Sequence, residues 1–415
     1  MASLSTPFRR RYCHKSSASL EAVVAVVLLV LRQADLSPTE LAAAASPATL
    51  WCPDVCECYN NMETLDCSQR RLSTVPGRLP QSARRVYLED NNIGQIDLEE
   101  FVRSRRVSQL VLDRNRLTSV DTATFCMMTS LQELSFSANM IRFFHISRRP
   151  GCDSVALRQL DLSLNLLTAV PANLSSFAPR LEVLDLSCNE ITDVTLDSSF
   201  AELTSLRQLD LSRNRIHFLS ATDLQPLRHV PLDVLNLAET ELAVIEDDAL
   251  CPVSGSLKYL SLTGNPLDPD NLARTLAGYS PRRLDLAGSN LTEHNSSVPR
   301  SSERVALPLT RLSIGEMSVG NLTQRMLAQF SHLLVLDVAF SDLEWVEPEL
   351  FNHLARLETL HLEVTTRTVT ASLTLSGRDH NMMKSLRERW TAGPAMDRTA
   401  GPVNHCTWRP VDYQL

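Results

Sequence analysis

Four cysteines lie close together in the stretch CPDVCECYNNMETLDC, at positions 52, 56, 58 and 67. Thiols at the spacing C-x3-C-x-C-x8-C can form two disulfide bonds, and as four thiolates they can instead hold a zinc ion tetrahedrally. The choice between the two chemistries depends on the compartment, because disulfides form and persist where conditions are oxidising.

The N-terminus has the composition of a secretory signal peptide. Arg9, Arg10, Arg11 and Lys15 precede the apolar run AVVAVVLLVL at 22–31, and the alanine-rich LAAAASPATL follows at 41–50. This order is typical of a signal peptide, and we expect cleavage in the interval 34–46. An uncleaved signal anchor is the alternative, although the apolar core is short for a bilayer. Secretion favours disulfides over zinc.

Other residues agree with secretion. Asn-x-Ser/Thr triplets, the acceptors of N-linked glycans, begin at Asn173, Asn290, Asn295 and Asn321. Removal of the signal peptide leaves an odd number of cysteines, so at least one is free or pairs with another molecule. A bridge between Cys126 and Cys152 is one hypothesis, and the pairing of Cys188, Cys251 and Cys406 stays open.

Motifs for enzymatic chemistry are missing from the sequence. It contains no HExxH, GxSxG or Walker motif, and GEMSVGN at 315–321 lacks the lysine of a phosphate-binding loop. A net charge of −8 and a pI near 5.7 argue against a nucleic-acid-binding protein, which is usually basic. We therefore predict a protein that is not an enzyme and uses no cofactor or catalytic metal.

A leucine frame recurs about every 24 to 28 residues through most of the chain. In LEVLDLSCNEI at 181–191, alternation along a short strand points Leu184 and Leu186 inward and Asp185 outward. One repeat cannot bury its leucines, whereas stacked repeats bury them against each other. Matches to the frame begin at residues 84, 107, 131, 157, 181, 206, 232, 257, 281, 309, 333 and 357.

The frame is that of the leucine-rich repeat, LxxLxLxxNxL, and the chain resembles this superfamily over about two thirds of its length. It looks similar to small leucine-rich matrix proteins such as tsukushi, to trophoblast glycoprotein, and to ectodomains of the Toll and chaoptin type. The resemblance implies an α/β fold, a horseshoe-shaped solenoid with a parallel β-sheet on the concave face and irregular or 3₁₀ turns on the convex face. On the convex side a recurring apolar residue is expected in the core, at Phe101, Phe125, Phe200, Leu250 and Phe351.

The resemblance also covers the cysteine cluster. In extracellular leucine-rich proteins such a cluster forms an N-terminal cap, and the implied pairing is Cys52–Cys58 and Cys56–Cys67. The expected C-terminal cysteine cap is missing, so we expect the tail to be disordered or truncated, with one short helix over 382–390 as an alternative. The predicted organisation is a signal peptide and linker at 1–46, a cap at 47–82, about twelve repeats at 83–364 and a non-repeat tail at 365–415.

The asparagine of each repeat is predicted to satisfy backbone groups where the chain turns inward, because an amide both donates and accepts. Hydroxyl residues or methionine replace it in later repeats, and we predict that the C-terminal half is less regular, with repeats 9 to 12 the more easily opened. The predicted ladder is Asn91, Asn115, Asn139, Asn165, Asn189, Asn214 and Asn265, and the replacements are Thr240, Ser289, Met317, Ser341 and Thr365.

Aspartates recur at the outward position between inward leucines, with arginines nearby. One interpretation is a surface that recognises a protein ligand, to which arginine and aromatic side chains contribute strongly. The other is that the aspartates only keep the sheet soluble, with the arginines neutralising them. The candidate binding residues on the concave face are Tyr87, Arg158, Asp161, Asp185, Arg207, Asp210, Tyr259, Arg282 and Asp285.

The function predicted from these observations is an extracellular protein-binding module, secreted or associated with the cell surface, that acts in signalling or adhesion. The alternatives are an innate-immune recognition ectodomain of the Toll type and a structural matrix protein. The expected partner is an extracellular or cell-surface protein, without nucleic acid. Membrane attachment would require an uncleaved signal anchor or a C-terminal span missing from this sequence, and the oligomeric state is open.

Overall fold

The computed structural model describes residues 51–147 except 78, then 155–267, 281–289, 309–315, 330–339 and 356–363, with residues 271, 275, 321–322, 327, 341, 345–346, 354 and 370–374 between and after them. The predictions for the signal peptide, for Met317, Phe351 and Thr365, and for a helix at 382–390 lie outside these residues.

Short β-strands dominate the described residues. They are β1 (Glu57–Tyr59), β2 (Thr64–Asp66), β3 (Arg85–Tyr87), β4 (Gln109–Val111), β5 (Ser119–Asp121), β6 (Glu133–Ser135), β7 (Phe143–His145), β8 (Gln159–Asp161), β9 (Val183–Asp185), β10 (Gln208–Asp210), β11 (Phe218–Leu219), β12 (Val234–Asn236), β13 (Val244–Ile245), β14 (Tyr259–Ser261), β15 (Arg283–Asp285), β16 (Arg311–Ser313), β17 (Asn321–Leu322), β18 (Val335–Asp337), β19 (Trp345–Val346), β20 (Thr359–Glu363) and β21 (Thr370–Thr374).

One 15-stranded sheet joins most of these strands in the order β1-β2-β3-β4-β6-β8-β9-β10-β12-β14-β15-β16-β18-β20-β21. Every predicted repeat contributes one strand to it. The strands from β2 to β20 are parallel, because each repeat turns once and returns in the same direction. The remaining strands form the two-stranded pairs β5–β7, β11–β13 and β17–β19.

The inward leucines stack in register through the sheet. Leu160 pairs with Leu184, which pairs with Leu209, and all three are at most 1% exposed. Burial of a leucine side chain contributes about 1.5–3 kcal/mol, so this spacing is fixed while outward residues vary. The predicted leucine-rich solenoid with a parallel sheet is confirmed.

The side opposite the sheet carries short helical segments. The α-helices are α1 (Leu98–Phe101) and α2 (Leu174–Phe177), and the 3₁₀ segments are Thr122–Phe125, Ser198–Glu202, Gln225–Leu227 and Cys251–Val253. They turn apolar side chains into the core, where Phe101, Phe125 and Phe200 are fully buried. Within the described residues, none of the helices has the length and hydropathy that a membrane span needs.

Additional aromatic residues, which the convex spacing did not predict, fill the core of the third and fourth repeats. The ring of Phe125 lies 5.8 Å from that of Phe136 and 6.4 Å from that of Phe177, measured between centroids. Phe136 occupies a leucine position of the frame and Phe144 follows the asparagine, so their aromatic character gave no periodic signal.

Each ladder asparagine is buried and joins two repeats. The Asn165 amide donates to the carbonyl oxygens of Phe136 (3.0 Å), Leu162 (3.1 Å) and Ser163 (2.9 Å), and its oxygen accepts from the Ile141 N–H (2.9 Å). Phe136 and Ile141 belong to the preceding repeat, so one side chain satisfies groups on both sides of a junction.

Hydroxyl groups at the ladder position make fewer hydrogen bonds than the asparagines do. The single hydroxyl proton of Thr240 is shared between the carbonyl oxygen of Leu237 in its own repeat and the side-chain oxygen of Asn265 in the next, each at 3.0 Å. Ser289 donates to the carbonyl of Leu262 (3.1 Å) and Ser341 to that of Val338 (2.7 Å).

The two ends of the sheet are both antiparallel. At the N-terminal end β1 pairs with β2, and the disulfides Cys52–Cys58 and Cys56–Cys67 hold this pair, as the resemblance implies. At the other end, residues 370–374 pair antiparallel with β20. These residues fall in the predicted disordered or truncated tail, yet here they form a strand, since β20 offers an unpaired edge that an extended segment can use.

Candidate protein-binding surface

The sheet face consists of the outward side chains of the parallel strands. Because side chains alternate along a strand, the first and third residues point outward and the second points into the core. In-register pairing aligns these residues in two columns across the sheet. We call the first residues of the strands the first column and the third residues the acidic column, since aspartate recurs there.

Three aspartates occupy consecutive strands in the acidic column. Asp161 on β8 pairs in register with Asp185 on β9, which pairs with Asp210 on β10. Neighbouring strands lie about 4.8 Å apart, so the three carboxylates are close neighbours. All three side chains are half-buried.

One oxygen of each carboxylate is held by its own repeat. The Oδ1 atoms of Asp161, Asp185 and Asp210 accept from the backbone N–H two residues later, at 2.8, 2.9 and 2.9 Å. This local bond fixes the side chain on the face, as in an Asx turn. Asp210 also accepts at Oδ2 from the amide of Asn236 on β12, at 2.8 Å.

Burial and like charge both disfavour ionisation of these groups. Burial, followed by the charges of Asp210 and Asp161, raises the pKa of Asp185 to about 7. Burial also raises the pKa of Asp161, to which Asp210 adds. Asp113 lies two residues after the end of β4. Burial, with a contribution from the charge of Asp161, raises the pKa of Asp113 to about 6.

The arginines that were expected to neutralise the aspartates are engaged elsewhere. Arg158 forms an ion pair with Glu182, and Arg207 donates to the carbonyl of Pro231 at 3.1 Å. The guanidinium of Arg283 lies 4.6 Å from the centroid of the Tyr259 ring. Among the described residues, no ion pair includes Asp161, Asp185 or Asp210.

The first column is largely uncharged beside these aspartates. Val183, Gln208 and Val234 follow one another on β9, β10 and β12, and Tyr259 continues the column on β14. Val183, Val234 and Tyr259 are half-buried, so part of each side chain lies on the face. An uncharged column therefore runs beside the acidic one, with Val183, Val234 and Tyr259 as its apolar members.

The other predicted binding residues lie apart from the three aspartates. Tyr87 is on β3, separated from β8 by β4 and β6, and its hydroxyl donates to Gln109 Oε1 at 3.1 Å. Asp285 lies on β15 beside Tyr259, whose pKa it raises together with burial. Arg282 is exposed at the start of the same repeat.

Asp113, Val183 and Val234 were not predicted from the sequence. Asp113 lies two residues past the outward strand position that was used to select carboxylates. Val183 and Val234 are first-column residues, whose apolar character stands out only once Gln208 and the register place them on one face. Alignment of the repeats by column would have found the valines.

A second exposed apolar group lies on the smaller β-pairs. Phe218 on β11 pairs in register with Val244 on β13, and they are 48% and 42% exposed. Phe143 on β7 is 60% exposed and stacks on His145 with ring centroids 5.8 Å apart.

The predicted modification sites are partly visible. Asn173 is exposed at the start of α2, with positive φ, and the Ser175 hydroxyl of its triplet donates to Glu202 at 2.8 Å. Asn321 is in β17, and Asn290 and Asn295 lie outside the described residues. Glycosylation at these positions stays a prediction.

Three of the remaining cysteines lie in the described part of the chain. Cys126 and Cys188 are each disulfide-bonded, and Cys251 is free and exposed. Cys152 and Cys406 lie outside the described residues, so the Cys126–Cys152 bridge stays a prediction. In the part of the chain that the structure describes, no cluster of three histidine, cysteine or carboxylate groups could hold a metal ion.

Comparison with known proteins agrees with this architecture. The leucine rich repeat family model matches residues 81–141, 155–216 and 179–231. Mouse podocan is 28% identical over 67% of this chain and 48% of its own length. Mouse podocan-like protein 1 is 28% identical over 81% of this chain and 59% of its own length. Trophoblast glycoprotein from Macaca fascicularis is 28% identical over 52% of this chain and 56% of its own length. The chain thus spans about half the length of the curated relatives it matches.

Solved structures share the fold. A TLR13–ssRNA13 complex superposes with a TM-score of 0.55 at 21% identity, over 72% of this chain and 42% of that one. The Leptospira interrogans leucine-rich repeat protein LIC12759 gives a TM-score of 0.50 at 23% identity, over 69% of this chain and 68% of that one.

The resemblance to leucine-rich repeat proteins is confirmed by these matches. Similarity to podocan, podocan-like protein 1 and osteomodulin confirms the extracellular localisation, and trophoblast glycoprotein fits the cell-surface alternative. A protein-interaction role fits these relatives, which belong to the extracellular matrix and the cell surface.

Proposed function

We propose that this leucine-rich repeat protein is an extracellular protein-binding module that acts in signalling or adhesion through its sheet face. The single observation that carries the proposal is the acidic column beside an uncharged first column that contains Val183 and Val234, presented by strands in strict register. Fold alone gives only an analogy for function, whereas this surface has a specific chemistry.

The rigidity of the face supports the proposal. Each outward side chain lies on a strand whose second residue is locked in the core, so little conformational entropy is lost when a partner orders the surface. Surfaces of this kind, with aromatic and apolar residues beside fixed charges, resemble the centre and rim of protein interfaces.

Site-specific photo-crosslinking tests the proposal. A photoreactive amino acid is placed at Gln159, an exposed first-column residue on β8, and in a matched variant at Glu99, exposed on α1 on the other side of the solenoid. Each secreted protein is incubated with intact cells and deposited matrix. We expect crosslinked extracellular proteins from Gln159 and none of the same proteins from Glu99; equal labelling at both positions would refute use of the sheet face.

A structural role in the matrix is the second candidate, and the similarity to podocan and osteomodulin favours it. In that case the crosslinked proteins would be fibrous matrix components and would be recovered from cell-free matrix. A signalling or adhesion role requires capture on intact cells after the matrix has been removed. We expect no enzymatic activity in either case.

A further inference from the structure

We propose that the sheet face from β8 to β14 docks a basic, amphipathic segment of a protein partner, whose arginine or lysine side chains bind the acidic column and whose apolar side chains bind the first column. This inference rests on the proposed function and specifies the chemistry of the partner.

Charge provides the first argument. Asp161, Asp185 and Asp210 repel one another across consecutive strands, and their described hydrogen-bond donors are the neutral groups of serine and asparagine. Like charges at this separation disfavour the ionised state unless a cation offsets them. A cation that favours the ionised state would come from outside the described part of the chain, since no ion pair there includes these aspartates.

The contrast with other carboxylates of the same solenoid provides the second argument. Where acidic residues project beside the sheet, the neighbouring repeat supplies a base: Arg114 donates to Asp90 at 2.6 Å and Lys258 lies 3.1 Å from Asp233. Arg213 similarly pairs with Glu239 at 3.0 Å. These carboxylates therefore have a base from the neighbouring repeat, whereas no ion pair among the described residues includes Asp161, Asp185 or Asp210.

The first column provides the third argument, because it limits the partner to a segment with two kinds of side chain. Val183, Val234 and Tyr259 lie two residues before the outward third residues of their strands, so about 7 Å separates the two columns. A purely cationic ligand would leave the valines uncovered. A segment with basic residues on one side and apolar residues on the other covers both columns.

The size of the surface fits a short segment. The four steps from β8 to β14 span about 19 Å at the usual strand spacing, which matches about six residues of extended chain. Nucleic acid would place phosphates against the acidic column, and a second copy of the same face would oppose carboxylate with carboxylate. Both alternatives are therefore electrostatically unfavourable.

Selection from a phage-displayed library of random peptides tests the proposal with the full secreted chain. Peptides are selected on the wild-type protein, synthesised, and measured against two double variants. Asp161→Asn with Asp185→Asn removes two charges from the acidic column. The matched control, Glu99→Gln with Asp193→Asn, removes two exposed charges elsewhere. A third variant, Val183→Thr with Val234→Thr, keeps side-chain shape but makes the first column polar.

The expected result is enrichment of peptides in which basic and apolar residues alternate, with affinity reduced about tenfold or more by the acidic-column variant and unchanged by the control. The threonine variant should weaken binding as well. Circular dichroism shows whether each variant is folded, and asparagine keeps the Oδ1 acceptor that holds the turn.

Several results would overturn the inference. Selection of acidic peptides, or equal binding by the acidic-column and control variants, refutes the basic partner while leaving the proposed protein-binding function intact. If basic peptides bind the threonine variant as tightly as the wild type, the contact with the first column is refuted. If no peptide binds and Gln159 captures no protein by crosslinking, the proposed function fails together with the inference.

Discussion

The repeats from β3 to β10 and those from β12 onward share the same leucine register but differ in how neighbouring turns are joined. In the first group a buried asparagine bonds both repeats at each junction, as Asn214 does with Leu186, Leu211 and the N–H of Ile191. From Thr240 onward, hydroxyl groups take over at three of the four described positions of the ladder. Core packing and junction bonding are therefore separate contributions to the solenoid.

The difference begins at one junction. None of the hydrogen bonds between described residues joins the Thr240 side chain to the preceding repeat, and Thr240 instead donates forward to Asn265. One backbone bond is also missing there among the described residues: Arg215 N–H donates to Ile191 one junction earlier, and Glu241 N–H makes no equivalent bond to Ile216. The comparison teaches that leucines align the repeats while asparagines join them.

Replacement of an asparagine in the first group should have the largest effect. Asn165→Ala leaves three buried carbonyl groups and one N–H without this partner, so we expect the free energy of unfolding to fall by about 2–4 kcal/mol. Urea denaturation followed by circular dichroism measures it. A smaller loss of unfolding free energy than that caused by Ser289→Ala would contradict the proposed difference between the two groups of repeats.

Removal of the cap disulfide Cys56–Cys67 comes next. Cys56→Ser with Cys67→Ser opens a loop with a sequence separation of 11 residues, for which chain entropy gives about 2–3 kcal/mol. Hydrogen exchange should report the loss at β2 and β3 and leave β14 unchanged. Uniform loss of protection throughout the sheet would mean that the two regions do not open independently.

Neutralisation of Asp185 should stabilise the first group and make its stability less dependent on pH. Its folded pKa, about 7, lies above the value of about 3.9 for an unfolded aspartate, so the folded state binds protons more tightly. The wild type therefore loses stability as pH rises from about 4 to about 7, and this loss is complete above the folded pKa.

We therefore expect Asp185→Asn to stabilise the protein by about 1–2 kcal/mol at pH 8, after discounting for the partial exposure of the group, with the gain shrinking toward pH 4. Thermal unfolding at several pH values measures the effect. Asp193→Asn, at an exposed position, is the control. A gain that did not vary with pH would argue against a strained carboxylate.

Replacement of a hydroxyl in the second group should have the smallest effect. Ser289→Ala removes one hydrogen bond, to the carbonyl of Leu262, so we expect a loss of about 0.5–1.5 kcal/mol. Hydrogen exchange at β14 and β15 would show whether this junction is already the easier one to open. Slower exchange there than at β8 and β9 in the wild type would contradict the predicted difference.

The sequence was sufficient to predict the strands and the core, since a twelvefold recurrence of leucines leaves one way to bury them. Asn189 and Thr240 could be compared before any coordinates, because amide and hydroxyl groups have different numbers of donors and acceptors. The orientation of long side chains was not predictable: Arg158 and Arg207 each lie three residues before an aspartate of the column, yet they bind Glu182 and the carbonyl of Pro231. A flexible arginine side chain can reach several acceptors, and sequence spacing does not show which of these acceptors it binds.

The forward-facing hydroxyl of Thr240 has a mechanical consequence. An extracellular protein anchored at both ends carries tension, and a stack of coils under tension parts where the fewest bonds cross between neighbours. We expect a pulling experiment to open the junction of β10 and β12 first and then to stop, because each repeat from β10 down to the cap is joined to the one before it by an asparagine.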